Sequence, residues 1–146
     1  MATIRCLDRE RARTLDSADL PERCLVWVAA EIGEDWEAVS TELEAVFSPM
    51  QEATRAGDPV VFIVAADDLL GRNGSARAMV ANGLLAGART AALENLKAGV
   101  AVNVLAVEEG PFPEAVGRWV GWLCSPGGPT GELVQLGGSH LGRALP

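Results

Sequence analysis

Three stretches of the chain lack the alternation of a half-solvated strand. Cys24–Ala30 (CLVWVAA), Val60–Ala66 (VVFIVAA) and Val100–Val107 are almost wholly apolar and rich in β-forming residues. Each is therefore predicted to be a strand covered on both faces. Between them the period lengthens. Asp35 stands where it can cap a helix whose apolar positions Trp36, Val39, Leu43, Val46, Phe47 and Met50 recur at helical spacing. Ala56-Gly57-Asp58-Pro59 ends that helix and begins the second strand. A polar loop, Asp67–Gly74, leads into a long helix of small residues over Ser75–Lys97, with Gly99 beyond its end. Pro113 opens a short helix carrying Val116, Trp119, Val120 and Leu123. Gly127-Gly128-Pro129 then turns the chain into a last strand, Glu132–Leu136.

Strands alternating with helices predict an α/β fold, a three-layer sandwich with a mostly parallel sheet and right-handed crossovers. Four strands make a narrow sheet whose first strand is an open edge unless the N-terminal segment or a partner covers it. That segment, residues 1–23, is polar and charged, with room for one short strand near Ala2–Leu7. The chain thus divides into the segment 1–23 and a unit spanning 24–146, without repeat or linker.

Composition narrows the range of functions. The 146 residues are 49% apolar and 22% charged, which fits a packed domain rather than a disordered chain. The net charge of −8, with no clustered Lys or Arg, argues against nucleic acid or an anionic membrane as partner. No apolar run approaches the length of a membrane span, and no signal peptide is evident. Three cysteines, Cys6, Cys24 and Cys124, lack metal-ligand spacing. They read as buried thiols of a reduced, cytoplasmic protein.

The order of elements, with the fragments inside them, resembles the second half of the short-chain dehydrogenase/reductase (SDR) family. Asp35-Trp36, Glu42-Leu43 and Val46-Phe47 resemble the family's helix with an Asn-Leu…Val-Phe pattern, Glu42 standing at the Asn position. Val60–Ala66 resembles the strand that ends in paired serines, and Gly83–Gly87 lies where the family has Lys-Ala-Ala-x-x-Gly. Val102-Asn103 matches the Val-Asn before the family's Pro-Gly. Val120–Gly138 resembles the closing segment, with Thr130-Gly131 and Gly137-Gly138 kept. The likeness covers about residues 24–139 and implies a partial Rossmann-like sandwich without the N-terminal nucleotide-binding half.

The departures bear on function. The family's serine polarises a carbonyl, its tyrosine moves the proton and its lysine lowers the tyrosine's pKa. At those positions stand Ala66, Met79 and Gly83, and the chain has no tyrosine anywhere. The family's glycine-rich turn cradles a pyrophosphate, whereas Met1–Arg23 contains no glycine. Gly71-Arg72-Asn73-Gly74 is no replacement. The family's Pro-Gly becomes Val107-Glu108, and its lid shrinks to Glu108–Pro113. The resemblance therefore implies a chain without the family's redox activity and without a bound cofactor or metal.

Other chemistry is sparse. Asp67-Asp68 at a strand's C-terminal end could share a proton or hold a cation, and Glu42 could serve as an acid or base. The plainer expectation is a solvated loop for the first and a surface position on an amphipathic helix for the second. His140, the lone histidine, sits in the tail, and Ser75 and Ser125 lack the context of a nucleophile. Cys124 reads as core, and Trp119 and Trp122 as residues packed on the sheet. The small-residue helix is more suggestive. In the SDR family this helix and the preceding Asp-Trp helix form a four-helix subunit interface, so Met79, Leu84, Gly87 and Val46 are candidate contacts of a homo- or hetero-oligomer. The expected role is a non-catalytic accessory subunit associating with a full-length dehydrogenase/reductase or other pathway enzyme. The alternative is a cofactor-independent cyclase, dehydratase or isomerase using Asp67, Asp68 or Glu42.

Overall fold

A computed structural model describes residues 3–6, 20–108 and 115–137. Five parallel strands lie side by side in chain order: β1 (Thr3–Cys6), β2 (Leu25–Val28), β3 (Val60–Ala65), β4 (Val102–Val107) and β5 (Leu133–Leu136). Every residue of β2, β3 and β4 is buried, as their unbroken apolar runs require. The sheet has one strand more than the four read from the long apolar runs and the closing segment. β1 comes from the N-terminal segment and pairs with β2 from Thr3↔Leu25 to Cys6↔Val28. The edge of β2 is thereby covered.

Side chains alternate between two cores. Leu25, Trp27, Val60, Phe62, Val64, Val102, Val104 and Ala106 face α1 (Trp36–Arg55) and α3 (Ser75–Glu94). Val26, Val28, Val61, Ile63, Leu105 and Val107 face α4 (Ala115–Leu123), which contributes Val116, Val120 and Leu123. The strands step across the sheet in one direction while α4 lies opposite α1 and α3. The β4–α4–β5 crossover therefore has the opposite hand to the two before it, and the expectation of uniformly right-handed crossovers fails there. The physical reason is coverage. Crossovers of one hand would place all three helices on one face and leave the equally apolar second face bare.

Local chemistry sets the boundaries. Asp35 caps α1, its Oδ1 accepting from the Ala38 amide at 2.8 Å. The third and longest connection differs in detail from the sequence expectation. β3 ends at Ala65, and the supposed loop begins with one helical turn, α2 (Ala66–Leu69). The long helix stops at Glu94, followed by a 3-10 turn over Leu96–Ala98.

The corner joining β4, α4 and β5 is organised by Asn103, whose side chain is wholly buried. Its Nδ2 donates to the Leu123 carbonyl at 3.0 Å and to the Pro129 carbonyl at 2.8 Å. Its Oδ1 accepts from the Glu132 amide at 3.1 Å. Beside it, Thr130 Oγ1 accepts from the Val102 amide at 3.1 Å, and the Gly131 amide donates to the Val102 carbonyl at 2.8 Å. The Val-Asn and Thr-Gly fragments that carry the SDR likeness are thus the fragments that satisfy the backbone of this corner.

Candidate functional site

Open parallel sheets bind ligands beyond the C-terminal ends of their strands. In this chain that edge is built by the residues after β2 and β3. Ala66, at the family's serine position, is buried as the first residue of α2 and offers no polar group. Asp67 and Asp68 follow. Asp67 is half-buried and forms an ion pair with Arg72 at 2.8 Å. Asp68 is buried, pairs with Arg77 at 2.9 Å and accepts from Asn73 Nδ2 at 2.7 Å. The solvated loop expected from sequence is corrected for Asp68. Its charge is taken up by Asn73, in the loop between α2 and α3, and by Arg77, in the first turn of α3.

Glu42 is also corrected. It is no surface residue of α1 but is completely buried beneath it. Oε1 accepts from Trp27 Nε1 at 2.9 Å and from the Ala30 amide at 3.2 Å, fastening the end of β2 to the helix. Oε2 has no hydrogen-bond partner among the described residues. A side chain so enclosed has no contact with solvent through which to meet a substrate.

Met79, at the tyrosine position, lies on the outer side of α3 with about half its surface exposed (49%). Gly83, at the lysine position, has been closed over. A Cβ there would lie 3.1 Å from Leu43 Cδ2, so a side chain at this position would press on Leu43 of α1. The three positions that the resemblance aligns with serine, tyrosine and lysine thus hold a buried methyl, a thioether and no side chain.

A residue that no motif singles out also shapes this edge. Glu34 reaches across to the start of α3, where its carboxylate accepts from Ser75 Oγ at 3.0 Å and from the Ala76 amide at 3.2 Å. The free amides at the N-terminus of a helix attract an anion, and Glu34 supplies it internally. Gly74 makes the approach possible. It has φ +100°, and a Cβ there would collide with the Glu34 carboxylate. Beside this clamp lies a shallow cavity of about 160 Å³ bordered by Glu34, Trp36, Val39, Ser75 and Met79. The only sequence signal was Gly74 itself, the last residue of the polar loop Asp67–Gly74.

The remaining candidates separate. Among the four interface candidates, Val46 and Leu84 are corrected: both are buried in the chain's own core, between helix and sheet. Met79 is exposed, and Gly87 has open space where a side chain would stand. Trp119 packs on the second core, with Trp122 edge-on against it at 5.4 Å, but Trp122 is itself exposed rather than packed on the sheet. Ser125 Oγ is held by the Trp122 carbonyl. Cys124 is buried, as expected. His140 lies outside the described residues. Among the described residues no group of three or more His, Cys, Asp or Glu could hold a metal ion, and no helix is long and apolar enough to cross a membrane.

No family model and no curated protein sequence matches the chain. Solved structures do. An acetoin dehydrogenase from Salmonella typhimurium superposes with a TM-score of 0.67 at 20% identity, over 78% of this chain and 62% of its own. An acetoin dehydrogenase from Enterobacter cloacae superposes with a TM-score of 0.65 at 19% identity, over 77% of this chain and 61% of its own. The chain spans about three-fifths of the length of these dehydrogenases, and over that span it has their α/β fold.

Proposed function

We propose that this chain is a non-catalytic, SDR-like accessory subunit, and that the outer face of its α1–α3 pair docks on a full-length dehydrogenase/reductase. The apolar outer face of that pair is the observation that carries the reading. Trp36 and Phe47 on α1 are mostly exposed (67% and 55%), as are Met79 and Leu93 on α3 (49% and 75%). Trp36 and Met79 border one cavity, and Leu43 touches Gly83, which joins the two helices' residues into one surface. Along α3 the stripe Met79, Gly83, Ala86, Thr90 and Leu93 repeats at alternating steps of four and three. That spacing is the seam on which helices pack closely, and its small residues allow near approach. Contiguous apolar surface of this kind marks an interaction site.

The replacement of serine, tyrosine and lysine by Ala66, Met79 and Gly83 supports the non-catalytic half of the reading. So does the commitment of Asp67, Asp68 and Glu42 to ion pairs and buried hydrogen bonds, which weighs against the alternative of an enzyme built on those acids. The unit 24–146 is read as the half-domain that presents the face, with β1 of the segment 1–23 completing its sheet. The test is co-expression with an intact reductase encoded beside it, followed by mass measurement of the purified species by light scattering. A mixed complex is expected, dissociated by Phe47→Glu and by Met79→Glu. A species that stays monomeric, or that assembles only with itself, overturns the accessory role.

A further inference from the structure

We propose that the notch between the starts of α1 and α3 seats an arginine side chain presented by the docking partner. This seat presupposes the docking role proposed for the α1–α3 face, of which it forms one end.

Glu34 and Asp35 immediately precede α1, Trp36 is its first residue, and Ser75 and Met79 lie in the opening turns of α3. Together they border the cavity of about 160 Å³. Pockets for small molecules start at about 300 Å³. The notch therefore has room for the head of one side chain and not for a larger free ligand. Trp36 leaves 67% of its surface to solvent, and the Met79 thioether adds a second apolar wall.

Charge decides what that head must be. Two helices begin at the notch, and each start acts as roughly half a positive charge. Two carboxylates stand against them, so about one negative charge is left over. An anion is repelled and a cation attracted. No arginine or lysine among the described residues pairs with Glu34 or Asp35, and Arg72 and Arg77 are taken by Asp67 and Asp68. The carboxylates also keep accepting capacity. Asp35 Oδ1 takes the Ala38 amide, and Oδ2 accepts from no described residue. Glu34 meets Ser75 Oγ and the Ala76 amide, whereas an ionised carboxylate has room for about four donors.

A lysine would answer the charge, but an arginine also answers the walls. Its planar guanidinium stacks on an indole face while its N–H groups fork toward carboxylates. An ammonium is a strongly hydrated point charge and gives up more water to enter. Trp36 and Met79 already belong to the apolar face, so a seated arginine fixes the register of the partner along it.

The full chain, isotope-labelled on nitrogen, is titrated with N-acetylarginine methylamide and with its lysine and uncharged citrulline counterparts. The arginine probe is expected to shift the Trp36 indole N–H and the amides of Ser75–Met79 saturably. The lysine probe binds more weakly, and the citrulline probe does not bind. Glu34→Gln keeps an acceptor for Ser75 and Ala76, and Asp35→Asn keeps a cap on α1. The double variant should therefore stay folded yet raise the Kd of the arginine probe about tenfold, through the loss of charge-assisted hydrogen bonds. Equal shifts with arginine and citrulline, shifts that fall elsewhere, or binding unchanged in the double variant would overturn the seat. Co-expression with the reductase separates this from the docking reading. A mixed complex that forms with the unsubstituted chain and weakens with the double variant supports both. No complex with the unsubstituted chain refutes the docking reading, and a complex equally strong with the double variant refutes the arginine seat alone.

Discussion

Two corners of the same sheet are held together differently. At the start of β4, Asn103 satisfies two carbonyls and an amide drawn from three segments, and Thr130 and Gly131 complete the pairing of Val102. At the end of β3, Ala66 carries no polar side chain, and Asp67 and Asp68 turn to neighbouring cations. Val102-Asn103 and Thr130-Gly131, which resemble the SDR pattern, lie at the first corner, and Ala66, which departs from it, lies at the second. The difference follows from what each side chain must satisfy. A buried asparagine cannot be lost without stranding backbone groups of its own fold, whereas a group whose partner is a ligand can be lost at no cost to folding.

Substitution at the first corner should therefore be the most damaging. Asn103→Leu keeps the volume but leaves the Leu123 and Pro129 carbonyls and the Glu132 amide without partners, a cost of roughly 3–5 kcal/mol. Urea titration followed by tryptophan fluorescence should show a lowered midpoint at nearly constant slope. A loss below about 1 kcal/mol would mean that water replaces the side chain, and the contrast between the corners would fail.

Asp68→Ala comes next. Arg77, whose side chain is only 14% exposed, loses its carboxylate and Asn73 loses its acceptor. Breaking a largely buried pair from one side leaves a charge in the interior, for which a loss of about 2–4 kcal/mol is expected by the same titration. An Asp68→Ala, Arg77→Met double variant should recover part of that loss. If the double variant is no better than the single one, Asp68 is not acting through Arg77.

The sequence disclosed the strands and helices because burial on two faces and helical periodicity leave direct marks in composition. It did not disclose the hand of the last crossover, since Val116, Val120 and Leu123 specify a buried stripe but not which side of the sheet it meets. Nor could it place Glu42, whose partner Trp27 is fifteen positions away and on another element. The same limit hid Glu34, forty-one positions from Ser75. An acid on an amphipathic helix reads as solvated until a buried donor is found for it. Asp67 and Asp68 show the limit most sharply, because adjacent identical residues fall in different environments once a single turn of helix points one outward and the other in.

That divergence gives the smallest expected effect and the finest test of the comparison. Asp67 pairs with Arg72 while 38% of its side chain and 59% of the arginine's remain exposed. Water and salt screen such a pair, so Asp67→Ala should cost only about 0.5 kcal/mol, and less again in concentrated salt. The Asp67–Arg72 double-mutant cycle should return a coupling of the same size. Two adjacent carboxylates at the mouth of a sheet then differ several-fold in their contribution to stability. An Asp67→Ala loss approaching that of Asp68→Ala would show instead that both acids belong to one interior network, and the end of β3 would be as tightly specified as the corner at Asn103.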